Sequence, residues 1–267
     1  MLHTIRKLRK QIILLINRAK FHLFFKRVAD KENCSNSKLI SVMIGPARNM
    51  PIREYLAFIR CGAAHQVIDD GTERDFDIAL NLYANYMDDR QSSYEYSIAG
   101  GINKFKAAYQ YINDDLLARY KGFIFLDDDL EISYSALSGF LQYCTDNNLT
   151  LAQPSLTRDS HHSYDYLLNA SNKGWRPVDM VEVMCPFFSA EALKSANRTF
   201  DLSYSTWGLG HIWPKLLKTT PVVVDEFTIR HTRPHCRDGS FYRYMREIGI
   251  SPIQEKTRLK DIPLAKL

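Results

Sequence analysis

The chain has 267 residues, enough for one large domain or two small ones, and its 45% hydrophobic and 12% aromatic content is that of a folded globular protein, not a disordered one. Its formal charge of +5 is unevenly spread: residues 1–32 hold nine Lys/Arg against Asp30 and Glu32, a balance of +7, and the remainder carries 26 basic and 28 acidic residues. The basic excess therefore belongs to an N-terminal arm, and a body built to bind nucleic acid is not what this pattern describes.

Five cysteines, Cys34, Cys61, Cys144, Cys185 and Cys236, are scattered without a CxxC pair, which suits free thiols in a reducing compartment. No stretch approaches the ~20 apolar residues that span a bilayer, and the apolar run Ile12–Ile16 is short for a signal-peptide core. In the arm, Ile5, Leu8, Ile12, Leu15, Ala19 and Leu23 recur at helical spacing, with basic residues around them and Phe21, Phe24 and Phe25 near the end. Such a helix can lie in the interface of an anionic membrane, which predicts a cytoplasmic protein, peripheral on the inner face; packing on the domain or on a partner subunit is the alternative.

The arm and a polar linker account for residues 1–37, a main domain is expected over 38–240, and a C-terminal helix and tail over 241–267. Leu39–Ile44 reads as a strand running into the loop Gly45–Asn49, and residues 52–64 suit a helix. The second core strand is either Gln66–Thr72 or Phe76–Tyr83. Phe105, Ala108, Tyr109, Ile112 and Leu116 mark an amphipathic helix feeding a strand at Gly122–Leu126, and Leu137, Phe140, Leu141 and Cys144 mark the next helix. Thr150–Leu156 reads as a short strand and turn, Arg158–Arg176 as a loop or flap, and Val178–Met184 as an alternating strand. Ser189 can cap a following helix, Pro221–Phe227 is another strand, and a helix near Phe241–Ile248 stops at Gly249. Alternating strands and helices predict an α/β domain with a mostly parallel sheet flanked by helices.

The chemistry centres on Tyr120–Glu131, where an apolar run ends in Asp127, Asp128 and Asp129. Three acids at a strand tip are electrostatically costly unless something positive joins them. In extended backbone Asp127 and Asp129 point to one side and Asp128 to the other, so the first two can converge on one ion. Hard oxygen ligands suit Mg2+ or Mn2+ bridged to a phosphate-bearing substrate, and the carboxyl end of a strand is where open α/β sheets bind ligands. A solvated acidic turn capping the next helix competes with that interpretation.

In this order of segments the chain resembles the GT-A superfamily of nucleotide-sugar glycosyltransferases, and more closely a glycosyltransferase-like family of unassigned function found in bacteria and plants. The segments that carry the resemblance are Phe76–Tyr83, Gly101 with Lys104, Phe125–Asp129, Ala152–Ser155, Val181–Phe188, Trp207–Leu209 and His231–Pro234. The resemblance implies a Rossmann-like GT-A fold that transfers a sugar from a nucleoside-diphosphate donor, with a UDP-sugar the default. The implied acceptor is a glycan or glycolipid of a bacterial surface polysaccharide.

By that resemblance Asp127, Asp129 and a late His231 would hold Mn2+ or Mg2+, with Asp129 the foremost ligand. Gly45, Arg48, Asn49, Tyr83, Asn85, Lys104, Asp127 and Asp128 would surround the nucleotide and its phosphates. An alternative register makes Val67–Thr72 the end of the base-binding strand. Similar proteins place Asp, the general base of an inverting enzyme, after Trp-Gly-Leu; here Gly210 stands there, followed by His211. His211 is the nearest titratable substitute, with Glu182 as second candidate. His231, His235 and Cys236 make only a weak zinc pattern, and Trp175, Trp207 and Trp213 are either sugar-stacking surfaces or core. Two rival functions remain at this point. One is a non-catalytic nucleotide or glycan binder, which Gly210 would allow. The other is a phosphohydrolase with Asp-x-Asp at a strand end, for which Leu130-Glu131 is the wrong continuation.

Overall fold

The computed structural model describes residues 53–62, 64–82, 94–99, 101–171, 174–234, 239–264 and 267. The N-terminal arm, the expected strand at Leu39–Ile44, the loop Gly45–Asn49, Tyr83, Asn85, His235 and Cys236 lie outside the described residues. Where a helix was expected over 52–64, the chain forms strand β1, Tyr55–Cys61. All its residues except Arg60 are at most 2% exposed. Tyr55, Ala57, Ile59 and Cys61 enter one core cluster, and Leu56 and Phe58 enter another. A strand buried on both faces reads as a continuous apolar run, and this is why periodicity misassigns it.

Both candidates for the second strand are strands: a short β2, Val67–Ile68, and β3, Phe76–Leu82, followed by β4, Tyr96–Ala99. The single helix expected over 105–116 is two helices, α1 (Lys104–Tyr111) and α2 (Asp114–Arg119). Asn113 restarts the turn by accepting a hydrogen bond from the Leu116 N–H at 2.9 Å. Strand β5 (Gly122–Asp127) ends in the acids, β6 (Leu130–Ser133) turns back from them, and α3 (Tyr134–Asp146) follows under a Ser133 cap. Then come β7 (Leu151–Leu156), β8 (Trp175–Pro177), β9 (Phe187–Ser189), α4 (Ala190–Ala196), α5 (Leu209–Leu217), β10 (Val222–His231), α6 (Ser240–Glu247) and α7 (Pro252–Lys260).

The sheet runs β2-β6-β10-β7-β9-β5-β1-β3-β4, with β8 on β10. The strands β4, β3, β1 and β5 are mutually parallel, β9 runs antiparallel between β5 and β7, and β10 is parallel to β7. One core lies between the sheet and α3 with Phe140 and Leu137; the other, with Phe105, Ile212, Trp213 and Leu259, lies under α1, α2, α4, α5 and α7. The result is the mixed, mostly parallel, Rossmann-like sheet with helices on its faces that the sequence predicts. Strand β1 connects onward to β3 on one side and has β5 on the other, so the strand order reverses there, and the acids of β5 stand at the carboxyl edge of that reversal.

The strand expected at Val178–Met184 is absent. The ladder against β5 is made by β9, and its neighbours continue irregularly along β5: Phe125 N–H donates to Pro186 O at 3.0 Å and Asp127 N–H to Met184 O at 3.1 Å. Pro186 interrupts pairing, and the Glu182 N–H goes to the Gln153 side-chain oxygen at 2.6 Å instead of to a strand. Residues 182–186 therefore track β5 up to its acidic tip.

Candidate active site

At that tip Asp127 ends the strand, and Asp128 and Asp129 form the turn into β6. Asp127 lies with one oxygen 2.9 Å from Lys104 Nζ, its side chain 41% exposed. The Lys104 ammonium is buried beneath it and also donates to the Phe125 and Met184 carbonyls at 3.3 and 3.0 Å. Lys104, expected near phosphates, thus braces Asp127 from below and ties β5 to the Met184 turn. Burial depresses its pKa, against the pull of Asp127; for Asp127 itself, desolvation and the charges of Asp129 and Asp128 raise the pKa against Lys104. Asp128 Oδ2 accepts the Gly62 N–H at 2.9 Å and joins the ends of β1 and β5. Its Oδ1 accepts from Arg233.

Asp129 meets the far end of the chain. Antiparallel pairing of β10 with β6 sets His231 opposite Leu130. The Thr232 N–H and hydroxyl both donate to the Asp129 carbonyl at 3.0 Å. Nε2 of His231 then lies 3.5 Å from Asp129 Oδ2, and Arg233 Nε reaches the same oxygen at 3.2 Å. On the other side of the ring Nδ1 is 2.7 Å from the His161 carbonyl. A carbonyl only accepts, so Nδ1 carries a proton; Nε2 bears the lone pair when the ring is neutral and donates to Asp129 when the ring is protonated. Burial alone would raise Asp129 and lower His231, but their mutual hydrogen bond and charge reverse both shifts, so Asp129 is held low and His231 high.

Among the described residues no three His, Cys, Asp or Glu side chains form a ready metal cage. Asp129 and His231 nonetheless set one carboxylate and one imidazole 3.5 Å apart, donor types that Mn2+ and Mg2+ accept. Cis ligands of an octahedral ion stand ~3 Å apart, and a carbonyl-oriented imidazole beside a carboxylate is the usual form of such ligands. Arg233, for which the sequence offered no role beyond its place in His231–Pro234, is the cation on that carboxylate edge.

The two candidate bases separate clearly. Oε2 of Glu182 is buried and has no hydrogen-bond partner. Desolvation pushes this carboxyl up to about 7, and the charges that act on it are those of His231, Asp127, His162 and Lys256. Glu182 therefore belongs electrostatically to the acidic cleft. His211, on the first turn of α5, has an unpartnered buried Nε2. Burial lowers its pKa, and the charges acting on it most are Lys256, Lys260 and Lys215. Between them stands Gly210, where a Cβ would collide with the Val181 carbonyl oxygen. Backbone fills the place of the missing Asp side chain, and the next residue along that backbone is Glu182.

Of the tryptophans, Trp213 is fully buried against Phe105, Phe188 and Phe200, with its Nε1–H on Thr199 Oγ1 at 3.1 Å, so it is core and not a sugar surface. Trp175 is 48% exposed on β8. The segment expected as a flap is stitched to β10: His231 N–H donates to Ser160 Oγ and His161 N–H to the His231 carbonyl, both at 3.0 Å. Cys61, Cys144 and Cys185 are buried, and no described helix is long and apolar enough to cross a membrane.

No protein-family model matches the chain, and no curated protein matches it in sequence. Among solved structures it is similar to S. aureus TarS at 9% identity and a TM-score of 0.48, over 80% of this chain and 41% of that one. The chain thus spans about two fifths of the length of that relative. It is also similar to TarS 1–349 in complex with UDP-GlcNAc, at 10% identity and a TM-score of 0.46 over 77% of this chain and 70% of that one.

Proposed function

We propose that this protein is a GT-A-type glycosyltransferase that moves a sugar from a nucleoside-diphosphate donor, by default a UDP-sugar, to a hydroxyl of a glycan or glycolipid. The observation that carries this reading is the meeting of Asp127–Asp129 with His231 at the carboxyl edge of the strand-order reversal, within electrostatic reach of the unpartnered Glu182. Asp129 and His231 would hold Mn2+ or Mg2+, which when bound neutralises charge developing on the departing diphosphate. Lys104 keeps Asp127 in place, and Arg233 adds a second positive charge at the phosphate end.

Glu182 is the base. Its carboxylate removes the acceptor hydroxyl proton while the acceptor oxygen bonds to the anomeric carbon. The bond from that carbon to phosphate breaks, and its electron pair leaves on the diphosphate. A base acting on the acceptor in this way implies direct displacement with inversion. A pKa near 7 suits this role, because the group is part-ionised at neutral pH and still basic enough to hold the proton. Residues 1–32 would place the enzyme on an anionic membrane surface, in keeping with surface-polysaccharide synthesis.

Gly210 supports a second reading, a nucleotide or glycan binder without turnover. A panel of UDP-sugars, UDP-GlcNAc among them, incubated with the full chain and Mn2+ discriminates the two. UDP release that stops with EDTA supports the enzyme; tight UDP binding with no release from any donor, with or without glycan acceptors, supports the binder.

A further inference from the structure

We infer that Tyr164, Tyr166 and Lys256 form the acceptor subsite, a platform on which a pyranose ring of the acceptor lies with its attacking hydroxyl toward Glu182. This rests on Glu182 being the base. Tyr164 and Tyr166 flank the start of a single 3-10 turn at Asp165–Leu167, and their rings are 5.4 Å apart at a 40° tilt. Tyr166 is a large aromatic left 40% exposed. Lys256 comes from α7, in the segment that carries no resemblance to the sugar transferases. Its ammonium is 2.6 Å from the Tyr164 hydroxyl and 5.2 Å from the centre of that ring.

The position of Lys256 is built, not incidental. The neighbouring Glu255 is 7% exposed, and its carboxylate accepts from Ser203 Oγ, Tyr204 N–H, Ser205 N–H and Ser205 Oγ at 2.6–3.1 Å. Gly208, at φ +96°, lets the Lys256 backbone approach so closely that a Cβ would stand 2.9 Å from the Lys256 Cα. The C-terminal helix is therefore locked onto the loop before α5, with Lys256 facing the tyrosines.

The backbone sets the location: residues 182–186 follow β5 to its acidic tip, and the segment leading to Tyr164 is held to His231 through Ser160 and His161. Asp127 and His231 act on Glu182 from the donor end, and Lys256 and His162 act on it as well, while Glu182 and Asp179 act on Tyr166. The platform thus lies near both Glu182 and the acidic tip, where an acceptor must lie for its hydroxyl to reach both base and donor. Its chemistry suits a sugar: an aromatic face receives the C–H face of a pyranose, while the tyrosine hydroxyls and the Lys256 ammonium bond its oxygens. Burial, followed by Tyr164 and the nearby carboxylates, pushes the Tyr166 hydroxyl up to about 12, which keeps it a donor at neutral pH. Lys256 is then the specificity-determining group, selecting the sugar whose oxygen it can reach.

Saturation-transfer NMR on the full chain with UDP present and a panel of methyl pyranosides tests this. At least one pyranoside should bind. Tyr166→Ala and Lys256→Met should each weaken it by about tenfold, Tyr166→Phe, which keeps the ring and loses only the hydroxyl, should weaken it less, and thermal unfolding should stay cooperative in all three. Failure of every pyranoside to bind the wild type, or unchanged affinity in Tyr166→Ala and Lys256→Met, overturns the subsite. Glu182→Gln separates the two assignments, since it should keep pyranoside binding and lose transfer. Transfer that survives in Glu182→Gln refutes the base, whereas pyranoside binding lost only in Tyr166→Ala and Lys256→Met still upholds the platform.

Discussion

Nε2 of His231 faces Oδ2 of Asp129 at 3.5 Å, and the ring is held in that orientation by the His161 carbonyl behind it. The turn from β5 into β6 delivers Asp129, and β10, running antiparallel to β6, returns His231 beside it. His231→Ala should weaken Mn2+ affinity by about 10–100-fold, measured by manganese electron paramagnetic resonance with UDP present, and leave the fold cooperative. Unchanged Mn2+ binding would remove His231 from the site.

Glu182 carries an unpartnered buried oxygen, so its ionisation opposes folding. Its folded pKa, about 7, lies above the ordinary 4.5, so the folded state holds its proton more tightly. The stability contribution is present below pH 4.5 and is lost as pH rises to about 7; His231, Asp127, His162 and Lys256 tune that window. Glu182→Gln should therefore raise stability at pH 8 by about 1–3 kcal/mol while lowering transfer ~10²–10⁴-fold. Wild-type turnover should rise with pH through about 7. Loss of both stability and activity in Glu182→Gln would mark Glu182 as structural.

Restoring aspartate at Gly210 should not restore a base. The side chain would drive into the Val181 carbonyl and displace the backbone that carries Glu182. Gly210→Asp is expected to lose about 1–3 kcal/mol in denaturant unfolding and to lower turnover together with it. Higher turnover in Gly210→Asp would show that the missing acid, not Glu182, is the natural base.

The basic arm should govern location, not chemistry. Each basic residue near an anionic surface contributes ~1 kcal/mol, so vesicle binding should fall steeply with salt. Deleting residues 1–32 should release the protein from phosphatidylserine vesicles and leave UDP affinity as it was. Salt-insensitive vesicle binding would point to a different attachment.

Several parts of this structure are legible in the sequence for physical reasons, and others are not. The β5 tip announces itself because an apolar run ending in three acids needs a special environment, and α3 shows the spacing of one buried face. Strand β1 is hidden because it is buried on both sides, so Tyr55–Cys61 lacks the alternation that marks a strand with one wet face. Val178–Met184 alternates in composition yet is not a strand, because Gln153, Lys104 and β5 take its backbone groups. His231 is suggested only through resemblance. Gly210 against Val181, Arg233 against two carboxylates and Lys256 against Tyr164 depend on contacts between distant segments, which no local pattern records.

Calorimetric titration of UDP into the full chain, with Mn2+ and with EDTA, in wild type and Asp129→Asn, tests the central claim most directly. The account predicts UDP binding that requires Mn2+ in the wild type and is lost in Asp129→Asn, whose fold remains intact because only one carboxylate charge is removed. UDP binding that is equal in both proteins and indifferent to Mn2+, or no UDP binding at all, would contradict it.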